Sequence, residues 1–151
     1  MRHRDGRCTR GGAMKRYVNL LMGALLAWAG AVQAADMSVG VEGLKNANGQ
    51  VLVAVFDRAA DFLKQPVRVA AVTARQGTVK VSIAGLPAGD YAVSVFQDEN
   101  GNGKLDKNVV GMPVEPYGFS NDAAGSYGPP SFQDATVRLA DSGGSATITL
   151  R

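Results

Sequence analysis

The chain reads as an all-β protein, a single antiparallel β-sandwich of about seven strands with one long ordered loop. Three observations predict this. Apolar residues recur at every second position in seven short stretches, each bounded by glycine, proline, asparagine or serine. Helical periodicity is nearly absent. One long stretch, residues 98–130, abandons the alternation for a composition rich in Gly, Pro and Asn.

The elements follow in order. Met37 to Leu44 places Met37, Val39 and Val41 on one face, and Val51, Val53 and Val55 do the same after Asn48-Gly49. Asn-Gly accepts the positive φ angles of a tight hairpin turn, so the first two strands are expected to pair antiparallel. Arg58 to Pro66 holds at most one helical turn, ended by Pro66, with Phe62 and Leu63 expected to plug an open edge. Val67–Arg75 and Thr78–Leu86 form a second expected hairpin around Gln76-Gly77. Asp90–Asp98 sets Tyr91, Val93 and Val95 on one face, and Ala135–Asp141 and Ser145–Arg151 close the chain around Ser142-Gly143-Gly144. Strands this short, at this spacing, make a sandwich.

The N-terminal segment carries most of the basic charge. Met14-Lys15-Arg16, the apolar run Tyr17–Val32 and the small residues of Val32-Gln33-Ala34 have the layout of a secretory signal peptide, with cleavage after Ala34. The apolar run is shorter than the roughly 20 residues a membrane span needs, so no span is expected in the mature form. Residues 1–13 read as a mis-called start or an extended leader. The β-domain is then 35–151, with the loop insertion at 98–130. Six of the 16 Lys+Arg and one of the 13 Asp+Glu leave with the leader, which leaves ten against twelve, a net charge of −2. A slightly acidic domain has no electrostatic reason to seek nucleic acid or anionic lipid. The only cysteine, histidine and tryptophan (Cys8, His3, Trp28) also lie in the leader. Without Cys or His no ordinary zinc or haem site can be built, and the Ser-His and Cys-His routes to a nucleophile are closed. No nucleotide or flavin signature is present.

The stretch "DENGNGKLD" is the strongest candidate site. Asp98, Asn100 and Asn102 stand at positions 1, 3 and 5 of a calcium-loop pattern, Gly103 at 6, the Lys104 carbonyl at 7 and Asp106 at 9. Alternate oxygens can converge on one point there while the glycine makes the sharp turn. Position 12 is Val109, where the pattern requires glutamate, and no helices flank the loop. The expectation is therefore a weak structural Ca2+, its missing ligand supplied by Asp57, Glu99, Glu115 or Asp122. The alternative is a polar turn capping its own backbone. A loop of this length needs a staple, because Leu105, Val109, Val110, Met112, Tyr117, Phe119 and Tyr127 are expected to be buried. Tyr117, Phe119, Tyr127 and Phe132, among four prolines, form either a satellite core that fixes the loop or a platform for a sugar or peptide.

Two resemblances add to this reading. "GLPAGDYAVSVF" resembles the Leu-Pro-x-Gly-x-Tyr corner of transthyretin-like and other immunoglobulin-like secreted modules, which implies a structural Tyr91. "FQDENGNGKLDKNVVGMPVEPYGFSN" followed by "GPPSFQDATV" resembles a bacterial family of secreted domains known as domain of unknown function 2141. That likeness runs from about Met37 onward and implies an exported β-domain without an assigned activity. The expected function is a non-catalytic module of the periplasm or cell surface that binds an envelope protein, peptide or glycan. Two alternatives are a carboxylate-only glycoside hydrolase using Asp98, Asp106, Glu115 or Asp122 and a purely structural envelope protein whose C-terminal edge, Ser145–Arg151, accepts a partner's strand.

Overall fold

The computed structural model describes residues 34–151; the leader expected over 1–34 lies, but for Ala34, outside them. Eight strands form two packed sheets: β1 (Ala34–Leu44), β2 (Gln50–Phe56), β3 (Arg68–Thr73), β4 (Gly77–Pro87), β5 (Gly89–Asp98), β6 (Tyr117–Phe119), β7 (Thr136–Leu139) and β8 (Gly144–Thr149). One sheet has the order β4-β1-β8; the other has β3-β2-β5, with β6 and β7 sharing the outer side of β5. All pairings are antiparallel except β1 with β8. The all-β sandwich is as the alternation predicts, and single 3-10 turns at Ala59–Asp61 and Ser120–Asp122 are the helical content of the described residues.

The expected pairings are not those observed. β1 pairs with β4 and β8, while β2 pairs with β3 and β5, so Asn48-Gly49 is not a hairpin turn but an arch from one sheet to the other. The same holds for β3 and β4 around Gln76-Gly77. β7 and β8 likewise join different sheets, sharing a lone bridge between Ala140 and Gly143. The physical reason is the apolar face. Consecutive strands here turn their apolar faces toward each other across the core rather than lying side by side. β6 was not foreseen, since three residues inside a Gly- and Pro-rich loop carry no period.

The main core is the set of inward faces: Met37, Val39 and Val41 of β1 and Val51, Val53 and Val55 of β2 are at most 2% exposed. Val93 and Val95 of β5 and Ile148 of β8 join them. Each such side chain contributes about 1.5–3 kcal/mol. Tyr91 is buried in the same core, and its hydroxyl donates to the Pro87 carbonyl at 2.8 Å, closing the corner between β4 and β5. A second, smaller core covers the other face of β5 at Ala92. There Phe119, Ala123 and Ala135 are buried and Phe62, Tyr117 and Phe132 pack against them. Phe62 thus seals this layer, whereas Leu63 is 40% exposed.

The C-terminal end of β8 is capped. Asp122 accepts from the Thr149 amide at 2.8 Å, and Tyr117 and Arg151 exchange backbone hydrogen bonds at 3.0 and 3.4 Å. The strand that sequence reasoning offered as an acceptor edge pairs with β1, ends its sheet, and is capped at Thr149 and Arg151. By strand pairing β4 and β8 end one sheet, and β3 at one side with β6 and β7 at the other end the second; β3 and β4 lie on the side away from the C-terminal strand.

Candidate functional site

The "DENGNGKLD" loop starts where β5 ends. Asp98 is fully buried, and its carboxylate is saturated by donors. Oδ1 accepts from the backbone N–H of Gly101 at 2.8 Å and Asn102 at 3.0 Å; Oδ2 accepts from Gly103 at 2.8 Å and from the Gln50 side chain at 3.1 Å. Three successive N–H groups can reach one carboxylate because Gly101 and Gly103 take φ of +75°, which a side chain disfavours. Asn100 and Asn102 form Asx turns, accepting from the amides of Asn102 and Lys104 at 3.0 and 2.8 Å. Their side-chain amides donate to the Asp106 carboxylate at 2.6–3.1 Å.

Burial by itself would push the Asp98 carboxyl up. The Gln50 amide and the N–H groups of Gly103, Asn102 and Gly101 together outweigh it and hold the pKa below the usual carboxylate range. A depressed folded-state value contributes stability that is present above the unfolded value, near 4, and is lost as pH falls through the folded one. Asp98→Asn is therefore expected to flatten the acid limb of a pH–stability curve below about pH 4. An unchanged acid limb in the variant would locate acid sensitivity elsewhere.

Sequence reasoning offered Glu115 as a spare ligand or an acid–base carboxylate, and it also has a structural role. Glu115 is 5% exposed, and its two oxygens accept from the backbone amides of Glu99 at 2.9 Å and Asp106 at 3.0 Å. It bolts both limbs of the loop together. Nothing in "PVEPYG" marks this in advance, because the contact spans sixteen residues. Gln97, beside Asp98 but facing the other way, is fully buried and donates to the Asn46 side chain and the Asn48 carbonyl at 2.7 and 3.0 Å. Ser120 is also fully buried; its Oγ accepts from the Val93 amide at 2.9 Å and hydrogen-bonds to the Ala135 carbonyl, fixing the 3-10 turn on β5.

The structure thus brings Asn100, Asn102 and Asp106 side chains together and turns Asp98 toward the backbone. Lys104 is exposed. Of the spare ligands, Glu99 accepts from Asn46 at 2.8 Å, Asp57 lies against Arg58 at 3.2 Å and Asp122 caps β8. Among the described residues no three His, Cys, Asp or Glu side chains form a group able to hold a metal. Hydrogen bonds to Asp98, Asn100, Asn102, Asp106 and Glu115 hold the loop's conformation. Of the four carboxylates weighed for acid and base chemistry, Asp98, Asp106 and Glu115 accept hydrogen bonds within this one loop, and Asp122 accepts at β8.

The aromatic cluster divides. Tyr117 and Phe119 meet edge to face with centroids 6.0 Å apart, and Phe62 contacts Phe56, Phe132 and Phe119 at 5.3, 5.8 and 6.2 Å. These rings face one another in the second core, while Tyr127 is fully exposed and separate from them. The expected burial of the loop's aliphatics also fails: Val109, Val110 and Met112 are 105%, 77% and 61% exposed, and only Leu105 is half-buried. Hydrogen bonds, not apolar packing, order that stretch.

A second feature lay hidden behind the expected β3–β4 hairpin. Because these strands belong to opposite sheets, a depression of about 320 Å3 opens between them. Val72 and Val79 line its inner part, and exposed Thr73, Arg75, Thr78 and Lys80 rim it. Paired edges would have filled this gap with ladder hydrogen bonds.

Fold and loop together define a class: a small two-sheet β-sandwich module with a self-buttressed polar loop and one open side. The chain belongs to the bacterial family described as "Uncharacterized protein conserved in bacteria", domain of unknown function 2141, which matches residues 39–147. No curated protein and no solved structure is significantly similar to it.

Proposed function

We propose that the chain is an exported, non-catalytic binding module of the bacterial cell envelope that holds an extended segment of a partner, a protein or peptide before a glycan, at the opening between β3 and β4. The observation that carries this is the groove itself. Two sheet edges without partner strands flank an apolar floor, Val72 and Val79, with hydroxyls of Thr73 and Thr78 and the cations Arg75 and Lys80 on its rim. An edge supplies backbone hydrogen bonds to an extended chain, pockets beside it select side chains, and the two cations favour an acidic segment. A glycan is less well matched, since the rings that would stack on sugar are packed against each other. Calcium enters this reading only as an optional stabiliser of the 98–106 loop. The carboxylates serve as acceptors in the framework, which supports a module without catalysis.

The test is a photocrosslinking residue at Thr78 of the protein expressed in its own kind of cell. A discrete adduct is expected, of protein or peptide mass, lost on Arg75→Glu with Lys80→Glu and absent with the crosslinker at exposed Thr147, at the far edge of the same sheet. The exported protein is expected to begin at Ala35 by mass. Equal adducts at both positions, or none at Thr78, would remove the groove as the partner site.

A further inference from the structure

Asparagine followed by glycine is the pair most prone to cyclise on itself, because glycine sets no side chain in the way of its own nitrogen. The chain has three such pairs, Asn48-Gly49, Asn100-Gly101 and Asn102-Gly103. The structure treats them differently. In the two loop pairs every reacting group is held. The Gly101 and Gly103 N–H groups each donate to the buried Asp98 carboxylate at 2.8 Å. The Asn100 and Asn102 side-chain amides donate to Asp106 at 2.6–3.1 Å, and their side-chain carbonyls accept from the amides of Asn102 and Lys104 at 3.0 and 2.8 Å. At Asn48-Gly49 the reacting groups are free. Asn48 is exposed, and neither its side chain nor the Gly49 N–H makes a hydrogen bond among the described residues. Only the surrounding backbone is tied. The Asn48 amide donates to the Asn46 side chain at 2.9 Å, and the Asn48 carbonyl accepts from Gln97 at 3.0 Å.

We propose that Asn48 is a site of spontaneous deamidation in the folded protein, and that the Asp98 carboxylate shields the two pairs of the loop. The Gly49 nitrogen bonds to the Asn48 side-chain carbonyl carbon and gives up its proton, and the side-chain amide leaves as ammonia. Water then opens the cyclic imide at either carbonyl. One opening leaves aspartate; the other leaves isoaspartate, whose main chain runs through the former side chain. At Asn100 and Asn102 the same attack must first break a hydrogen bond from the attacking nitrogen to a charged acceptor, which slows it roughly ten- to hundredfold. The change at Asn48 also reaches the candidate loop. A β-carbon on Gly49 would stand 1.9 Å from the Asp98 carbonyl oxygen, so the arch has no slack for the extra main-chain carbon of isoaspartate. Its insertion pulls the Asn48 carbonyl from Gln97 or Gln50 from its pairing with Asp98, the residue from which the loop starts.

The test incubates the protein, as recovered from cells, in mildly alkaline buffer and follows each pair by peptide mass mapping. Labelling by isoaspartyl methyltransferase separates isoaspartate from aspartate, and a parallel incubation in urea gives the unfolded rates. The three pairs are expected to convert at similar rates in urea. In the folded protein Asn48 is expected to convert at least about tenfold faster than Asn100 or Asn102. Asp98→Asn is expected to bring Asn100 and Asn102 up toward the Asn48 rate. So is Glu115→Ala, which frees the loop without touching Asp98. Asn48→Ser is expected to remove most of the isoaspartate label, and the labelled wild-type fraction is expected to melt below the unlabelled one. Conversion at Asn48 no faster than in the loop overturns the site, since reaction through global unfolding would level the three pairs. Loop pairs that stay slow in both variants overturn the shielding. So do loop pairs that outrun Asn48 in the wild type and slow in Asp98→Asn, which would make Asp98 a base that promotes the attack. Equal melting of the labelled and unlabelled fractions overturns the link from arch to loop.

Discussion

Gly49→Ala is expected to destabilise the domain by about 3 kcal/mol or more, the largest single effect foreseen here, and a large share of a total near 5–15 kcal/mol. A β-carbon on Gly49 would stand 1.9 Å from the Asp98 carbonyl oxygen and 2.9 Å from the Glu99 α-carbon. Both are backbone atoms at the end of β5, and the Gln50–Asp98 pairing holds them in place. Gly49 also takes φ of +65°, and its own carbonyl accepts from the Ala74 amide at 3.2 Å. Relief would require the arch to move away from β5, breaking the ladder that places Gln50 against Asp98. Gly101→Ala separates contact from conformation, since that glycine has φ of +75° with nothing within 4 Å. It is expected to cost roughly 1 kcal/mol, the usual strain of a left-handed residue with a side chain. Urea unfolding of the two variants reads the difference as a change in midpoint at constant slope. Equal losses in both would show that the close approach is slack.

Glu115→Ala is the second large effect, and it is expected to be local. The substitution leaves the Glu99 and Asp106 amides without their acceptor, at a cost of about 1–3 kcal/mol in loop opening. Amides of residues 99–106 are expected to exchange at least about tenfold faster, while those of β1, β2 and β5 keep their protection. Glu115→Gln is expected to fall between, because one oxygen remains to accept and the new amide donor faces an N–H group. If Glu115→Ala lowers protection equally across the sandwich, the loop belongs to the global folding unit and the division into core and loop fails.

Much of the fold was legible in advance. Seven of the eight strands stand where the period-2 pattern put them, since Met37, Val39, Val41 or Val51, Val53, Val55 must share one buried face. The Tyr91 corner was readable too, because Pro87 and a tyrosine four residues on form a local unit. The candidate loop was legible as an ordered turn from its Asx and glycine spacing. Its bolt was not: Glu115 acts across sixteen residues, and a single glutamate between two prolines has no pattern to betray it. Exposure of Val109 and Val110 was misread for a related reason. A valine in a loop looks like a buried anchor until the hydrogen bonds of Asn108 show that the loop stands without one.

Strand partners divide the two sources of information most clearly. Alternation in β1, β2, β3 and β4 fixes which side chains face inward, and glycines at their joints permit a sharp change of direction. Those facts determined an all-β sandwich by themselves. They are equally satisfied by a hairpin, where neighbours lie side by side with faces aligned, and by an arch, where neighbours meet face to face across the core. Only the tertiary structure decided for arches at Asn48-Gly49 and at Gln76-Gly77, because the choice rests on burial summed over strands distant in sequence. The open side between β3 and β4 follows from that decision: with each strand committed to its own sheet, their edges are left facing a gap instead of each other.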